Sequence, residues 1–126
     1  MSEMTVISKS HEDYLEAIYV QIADGKAAQV RDIAAMLSVK MPSVVKALRE
    51  LKRLGLVTQE PYANIELTAE GSRFAKRVLG RHKLIRSFLM KLGVSRATAD
   101  KDACRMEHIL SDETLDKIRT YTTEDK

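Results

Sequence analysis

Residues 30–68 read VRDIAAMLSVKMPSVVKALRELKRLGLVTQEPYANIELT. Val30, Ile33, Ala34 and Leu37 recur at helical spacing, which predicts a short helix from Val30 to Leu37. Ser38-Val39-Lys40-Met41 leaves room only for a tight connection. Pro42 then falls at or near the first position of a further helix, where its missing N–H costs nothing. The inward stripe of that helix is Val44, Ala47, Leu48, Leu51 and Leu54, and Gly55 supplies the stop. Two β-prone pieces follow, Leu56-Val57-Thr58-Gln59 and Asn64-Ile65-Glu66-Leu67-Thr68, with Pro61-Tyr62-Ala63-Asn64 as the turn between them.

Helix, turn, helix and ribbon is the order of a winged helix-turn-helix, which lays its second motif helix in the major groove of DNA. Upstream, residues 11–23 place Tyr14, Leu15, Ile18, Tyr19 and Ile22 on one helical face. Ser10 is the expected N-cap, and Asp24-Gly25 ends that helix. Downstream, Thr68 caps a long helix over about 69–92, closed by Gly93. Ser95 starts a fifth helix reaching about Leu110, Ser111 starts a sixth, and the residues after Thr120 read as a frayed tail. The expected fold class is mainly α: a winged helix-turn-helix DNA-binding module at 1–70, then metal-binding and dimerisation helices at 71–126.

The 126 residues, 44% hydrophobic and 31% charged, suffice for a buried core. No apolar run approaches the roughly 20 residues a membrane span needs, and no leader-like stretch opens the chain. A lone cysteine, Cys104, excludes an internal disulfide and fits a reducing, cytoplasmic setting. The net charge of +3 conceals a pattern. Residues 1–24 carry five acids against one base, residues 40–91 twelve bases against four acids, and residues 100–126 eight acids against five bases. A basic centre between acidic ends suggests a polyanion for the middle and something cationic for the ends.

On the predicted recognition helix, Lys40, Pro42, Ser43, Lys46 and Arg49 are the expected DNA-binding residues. Small polar groups near a helix N-terminus suit phosphate and base-edge contacts, and the cations supply counterion release. The ribbon tip offers Glu60 and Glu66 and no base, which argues against a strongly cationic wing.

Two spots suggest a cation. Asp13 and Glu16 stand at i and i+3, and Cys104, Glu107 and His108 at i, i+3 and i+4. Carboxylate, thiolate and imidazole on one face can converge on a divalent transition metal. Each spot also has a structural reading, as a buried thiol, a salt bridge or acids in a first helical turn. The paired Glu-x-x-His motifs of a carboxylate-bridged metalloenzyme are missing, so no enzyme is expected.

From about His11 to Ile118 the chain resembles the diphtheria toxin repressor (iron-dependent repressor) family, close to its manganese transport regulator branch. The resemblance is carried by residues 12–19 (EDYLEAIY), 39–46 (VKMPSVVK), 67–71 (LTAEG), 81–84 (RHKL) and 103–113 (ACRMEHILSDE). It implies a homodimeric, metal-activated transcriptional repressor of operator DNA. The implied ligands are Asp13, Glu16, His82, Cys104, Glu107 and His108. Asp13 and Glu16 follow the manganese branch, whereas Cys104 follows the iron branch. Carboxylates suit Mn²⁺ or Fe²⁺, and a thiolate leans toward Fe²⁺, Co²⁺ or Zn²⁺. Fe²⁺ is expected, with Mn²⁺ close behind. The iron branch has an ancillary site whose Glu and His positions are here Arg86 and Asp100, and arginine cannot ligate.

The implied mechanism is a population shift: a cation offsets the repulsion among Asp13, Glu16 and Glu107 and orients the two DNA-binding modules of a dimer. The dimer contact is expected at Val94, Ala99, Ile109, Leu110, Leu115 and Ile118. The alternative is a winged-helix regulator with no metal response.

Overall fold

A computed structural model describes residues 7–60 and 63–124. Among the described residues, six helices and one two-stranded ribbon follow in the order α1 (Lys9–Ala23), α2 (Val30–Leu37), α3 (Met41–Arg53), β1 (Val57–Thr58), β2 (Glu66–Leu67), α4 (Ala69–Lys91), α5 (Arg96–Met106) and α6 (Asp112–Glu124). The chain divides into two compact units, with the border inside α4 between Lys76 and Arg77.

The first unit has the expected winged helix-turn-helix order. α1 begins earlier than expected, because Ser8 rather than Ser10 is its cap. The Ser8 hydroxyl accepts from the His11 N–H at 3.0 Å, satisfying one of the orphan donors of the first turn. Tyr14, Leu15, Ala17 and Ile18 are buried, and Ile22, at the far end of the stripe, is exposed. The link between α2 and α3 turns on Ser38, the one non-glycine among the described residues with positive φ (57°). There the Val39 N–H reaches Ala34 O and the Ser38 N–H reaches Ala35 O, which closes α2. α3 buries Val44, Ala47, Leu48 and Leu51 as its stripe requires. Leu15, Ile18, Ile33, Val44, Leu51, Leu56 and Ile65 are fully buried in this core. Each such side chain stabilises the fold by about 1.5–3 kcal/mol.

β1 and β2 pair antiparallel, Val57 with Leu67 and Thr58 with Glu66. They are shorter than expected: before β2 the Ile65 backbone bonds outside the ribbon, and at the other end the pairing runs on only to Leu56 and Thr68. Ile65 N–H donates to Ala28 O at 2.8 Å, and Thr68 N–H donates to Leu56 O at 3.1 Å. Half of the expected turn, Pro61 and Tyr62, lies outside the described residues. Thr68 joins ribbon to helix: its hydroxyl donates to Gly55 O at 2.7 Å and accepts from the Gly71 N–H at 3.0 Å. Gly71 lets α4 press on this junction, since a β-carbon there would collide with the carbonyl oxygen of Leu56.

In the second unit Ile85, Ala103 and Leu115 form a small core with Leu84, Leu89, Met106 and Leu110 packed against it. α5 starts at the expected cap, Ser95, but stops at Met106, short of Leu110. Ile109 and Leu110 both donate their N–H to Met106 O, a turn that brings the half-buried Leu110 onto the core. α6 continues to Glu124, where a frayed tail was expected after Thr120. Interactions of Tyr121 explain the extra turn. Its ring meets Phe88 edge-to-face at 5.6 Å, and Lys91 lies over the ring while donating to Tyr121 O at 2.7 Å. Among the expected dimer-contact residues, Ala99, Leu115 and Ile118 are already buried within the chain, whereas Ile109 is 77% exposed. Among the described residues no helix is long and apolar enough to cross a membrane.

Candidate metal centre and nucleic-acid interface

α3 turns its buried stripe inward and leaves a polar, cationic face open. Lys40, Pro42, Ser43, Lys46 and Arg49 are all exposed on α3 or at its start. Val39, Met41 and Val45 stand among them as exposed apolar groups that suit contact with base edges rather than phosphates. Residue spacing did not single them out. The signal was Val45, an apolar residue out of register with the stripe of Val44, Ala47, Leu48 and Leu51.

A second feature of this face was also missed. Glu50, on α3, pairs with His11, on α1, through Nε2 and Oε1 at 2.8 Å. The hydrogen bond from His11 holds the Glu50 carboxyl below its usual range, partly opposed by desolvation and helped by the charges of His11, Lys46 and Arg53. A cleft beside this pair is lined by Ser43 and Lys46 of α3.

In the second unit α4 supplies His82, while the C-cap of α5 and the residue after it supply Glu107 and His108. His82 Nδ1 stands 3.0 Å from Glu107 Oε1, and His108 Nε2 stands 3.3 Å from Glu107 Oε2. The Glu107 side chain is 0% exposed and the His108 ring 3%. Glu107 is the one charged residue buried among the described residues. A carboxylate withdrawn from water is costly unless positive charge or strong donors compensate it. Two imidazoles on its two oxygens make an N/N/O donor set suited to a divalent transition metal. These residues therefore fit a bound cation.

The other expected ligands are placed as follows. Asp13 and Glu16 lie half-buried on α1 in the first unit, Asp13 with Lys9 Nζ at 3.4 Å. Cys104 is exposed on α5. The predicted single helical face for Cys104, Glu107 and His108 is interrupted, because α5 ends at Met106 before the last two. Beside the centre, His82 Nε2 is 3.2 Å from Asp100 Oδ1, which Arg86 Nη1 also meets at 3.1 Å. The Arg86 guanidinium holds the Asp100 carboxyl below the usual carboxylate range, with desolvation opposing and His82 contributing less.

A winged helix-turn-helix with an exposed cationic recognition helix, followed by helices that bury a His–Glu–His cluster, defines a class of metal-binding DNA regulators. The N-terminal DNA-binding domain of iron-dependent repressors matches residues 6–65, and their metal-binding and dimerisation domain matches residues 68–124. The chain belongs to the iron-dependent repressor family. It is 40% identical over 117 residues to the HTH-type transcriptional regulator MJ0568 of Methanocaldococcus jannaschii, covering 91% of this chain and 94% of that protein. It is 44% identical over 112 residues to the transcriptional regulator MntR of Escherichia coli O6:H1, covering 88% of this chain and 72% of that one. Among solved structures, a manganese-dependent transcriptional repressor in complex with manganese superposes with a TM-score of 0.80 at 27% identity. That match covers 89% of this chain and 52% of the other. IdeR of T. acidophilum gives a TM-score of 0.75 at 26% identity, covering 91% and 54%. The chain thus spans about half the length of these two solved repressors.

Proposed function

We propose that this protein is a transcriptional repressor that binds operator DNA as a homodimer when Mn²⁺ or Fe²⁺ is bound. The observation that carries the reading is Glu107, wholly buried with an imidazole on each carboxylate oxygen, in a chain whose α3 leaves its basic face open. The proposed ligands are Asp13, Glu16, His82, Cys104, Glu107 and His108. When bound, the cation supplies the positive charge that offsets repulsion among three carboxylates.

The chain's own residues divide the work. Glu107 and His108 hold donors at the end of α5, and His82 adds one from α4. Asp13 and Glu16 belong to the same helix as His11, whose ring meets α3. Recruiting them ties the position of the DNA-binding module to the metal. Lys40, Lys46 and Arg49 then neutralise phosphates, while Ser43, Pro42 and the apolar neighbours Met41 and Val45 face the bases. Two recognition helices of a dimer must meet major grooves roughly 34–36 Å apart when they fall on successive turns. Ile109 and other exposed apolar groups of the second unit, Met90 and Leu92, offer surface for the second protomer.

The test is DNA binding with and without metal. An operator selected from random duplexes in the presence of Mn²⁺ is titrated by fluorescence anisotropy with Mn²⁺, with anaerobic Fe²⁺ and with chelator. Tight binding only with metal is expected. Equal affinity under chelation returns the protein to the class of winged-helix regulators that do not respond to metal.

A further inference from the structure

We propose that Asp100 is a positioning residue for metal capture, holding the His82 ring so that Nδ1 faces the cation, and that Arg86 holds Asp100 in that role. The proposal rests on the reading of His82 as a ligand. An imidazole offers a cation one ring nitrogen and keeps its proton on the other, so whatever binds the far nitrogen decides which lone pair is presented. At His82 the two nitrogens have different neighbours. Nε2 lies 3.2 Å from Asp100 Oδ1, and Nδ1 lies 3.0 Å from Glu107 Oε1. An ionised carboxylate only accepts, so both neighbours call for an N–H; a cation taken up beside Glu107 and His108 displaces the proton on Nδ1, and Asp100 keeps the one on Nε2.

Asp100 would be a poor anchor by itself. Its side chain is 41% exposed, and a carboxylate that open rotates and takes cations of its own. Arg86 prevents both. Its Nη1 donates to the same Oδ1 at 3.1 Å, from a side chain only 21% exposed. The other oxygen, Oδ2, has Arg96 Nε at 4.0 Å. Arg86 thus fixes the oxygen that meets the ring, while the exposed Arg96 adds positive charge near the other. The geometry is economical in sequence, because His82 and Arg86 stand one turn apart on α4 and face a single residue of α5.

The experiment compares Asp100→Ala, Asp100→Asn, Arg86→Ala and the double variant in the full chain. Mn²⁺ affinity is measured by calorimetric titration, and the protonated nitrogen of His82 is read by long-range ¹H–¹⁵N correlation on the diamagnetic Zn²⁺-loaded protein. Loss of a partner behind a metal-bound histidine costs about 10–100-fold in metal affinity. Asp100→Ala should show that loss and a mixed His82 signal, where the parent shows a single form protonated at Nε2. Asp100→Asn keeps an acceptor oxygen in place and should restore the single form and most of the affinity. If Arg86 acts through Asp100, the loss caused by Asp100→Ala shrinks when Arg86 is already alanine. Parental affinity with an unmixed ring signal in Asp100→Ala overturns the proposal, and strictly additive losses overturn the part given to Arg86. His82→Ala separates the two readings. If it abolishes tight Mn²⁺ binding while Asp100→Ala does not, the ligand stands and the positioning falls. If it leaves Mn²⁺ binding unchanged, both fall.

Discussion

A β-carbon at Gly71 would collide with the carbonyl oxygen of Leu56, which is itself bonded to the Thr68 N–H. Neither partner can yield cheaply, because both belong to the junction of ribbon and α4. Gly71→Ala should therefore destabilise the first unit by about 1–3 kcal/mol, the range of a forced core overpacking, as measured by urea unfolding. The His11–Glu50 pair makes a different prediction. The folded pKa of Glu50 lies below its ordinary value, so its ionised form favours the native state. That contribution is present above the usual carboxylate range and is lost as pH falls through the folded value. The melting temperature of Glu50→Gln should therefore lie below the parent's near pH 6, and the gap should narrow toward pH 3. A gap that stays constant over that interval would show that the pair does not stabilise the fold. Neither residue was legible in full from the sequence. Gly71 could be seen inside a helical pattern, but the Leu56 carbonyl against it depends on tertiary approach. His11 and Glu50 lie far apart in sequence, and only the packing of α1 on α3 brings them together.

At the scale of elements, periodicity read the interiors well and the ends less well. α2 and α3 fall where the apolar stripe and Pro42 put them, because burial of Ile33, Val44 and Leu51 enforces the helical period. The ends of α1, α5 and α6 follow hydrogen bonds that local composition does not announce: Ser8 to His11, Leu110 to Met106, and Lys91 to Tyr121. α3 carries its own prediction. Lys46 is exposed on the open face and lines the cleft by His11 and Glu50, so its ammonium is available to a phosphate. Lys46→Ala should weaken operator binding and lower the magnitude of the log–log salt slope by about 0.9 for every phosphate that a protomer no longer neutralises. Anisotropy titrations over a series of salt concentrations read both. Metal affinity should be unchanged, since Lys46 is exposed on α3 and is not among the proposed ligands. An unaltered salt slope would place Lys46 away from the phosphates.

At the scale of the whole molecule the question is which donors set the metal preference. Spacing alone proposed Glu107 and His108, and likewise Asp13 and Glu16, as ligands. It did not propose His82, because a single histidine in a long basic helix has no local signature and only the resemblance singled it out. Cys104 is the residue on which the expected leaning toward iron depends, and it stands exposed on α5 while Glu107 beyond it is buried. A thiolate among the ligands favours Fe²⁺, Co²⁺ or Zn²⁺ over Mn²⁺, and a coordinated thiol is deprotonated by the metal. Cys104→Glu exchanges that soft donor for a hard one and leaves Asp13, Glu16, His82, Glu107 and His108 in place. The order of metals that activate operator binding should then move toward Mn²⁺, while helical content stays at the parental level because an exposed position tolerates the carboxylate. Cys104→Ala should lose more response to Zn²⁺ and Co²⁺ than to Mn²⁺. Thiolate-to-Co²⁺ charge-transfer absorption in the parent gives an independent readout and should vanish in both variants. If that band is missing from the parent and both variants keep the parental order of metals, the thiol lies outside the coordination sphere. The preference is then set by carboxylates and imidazoles alone, a donor set that favours Mn²⁺ or Fe²⁺.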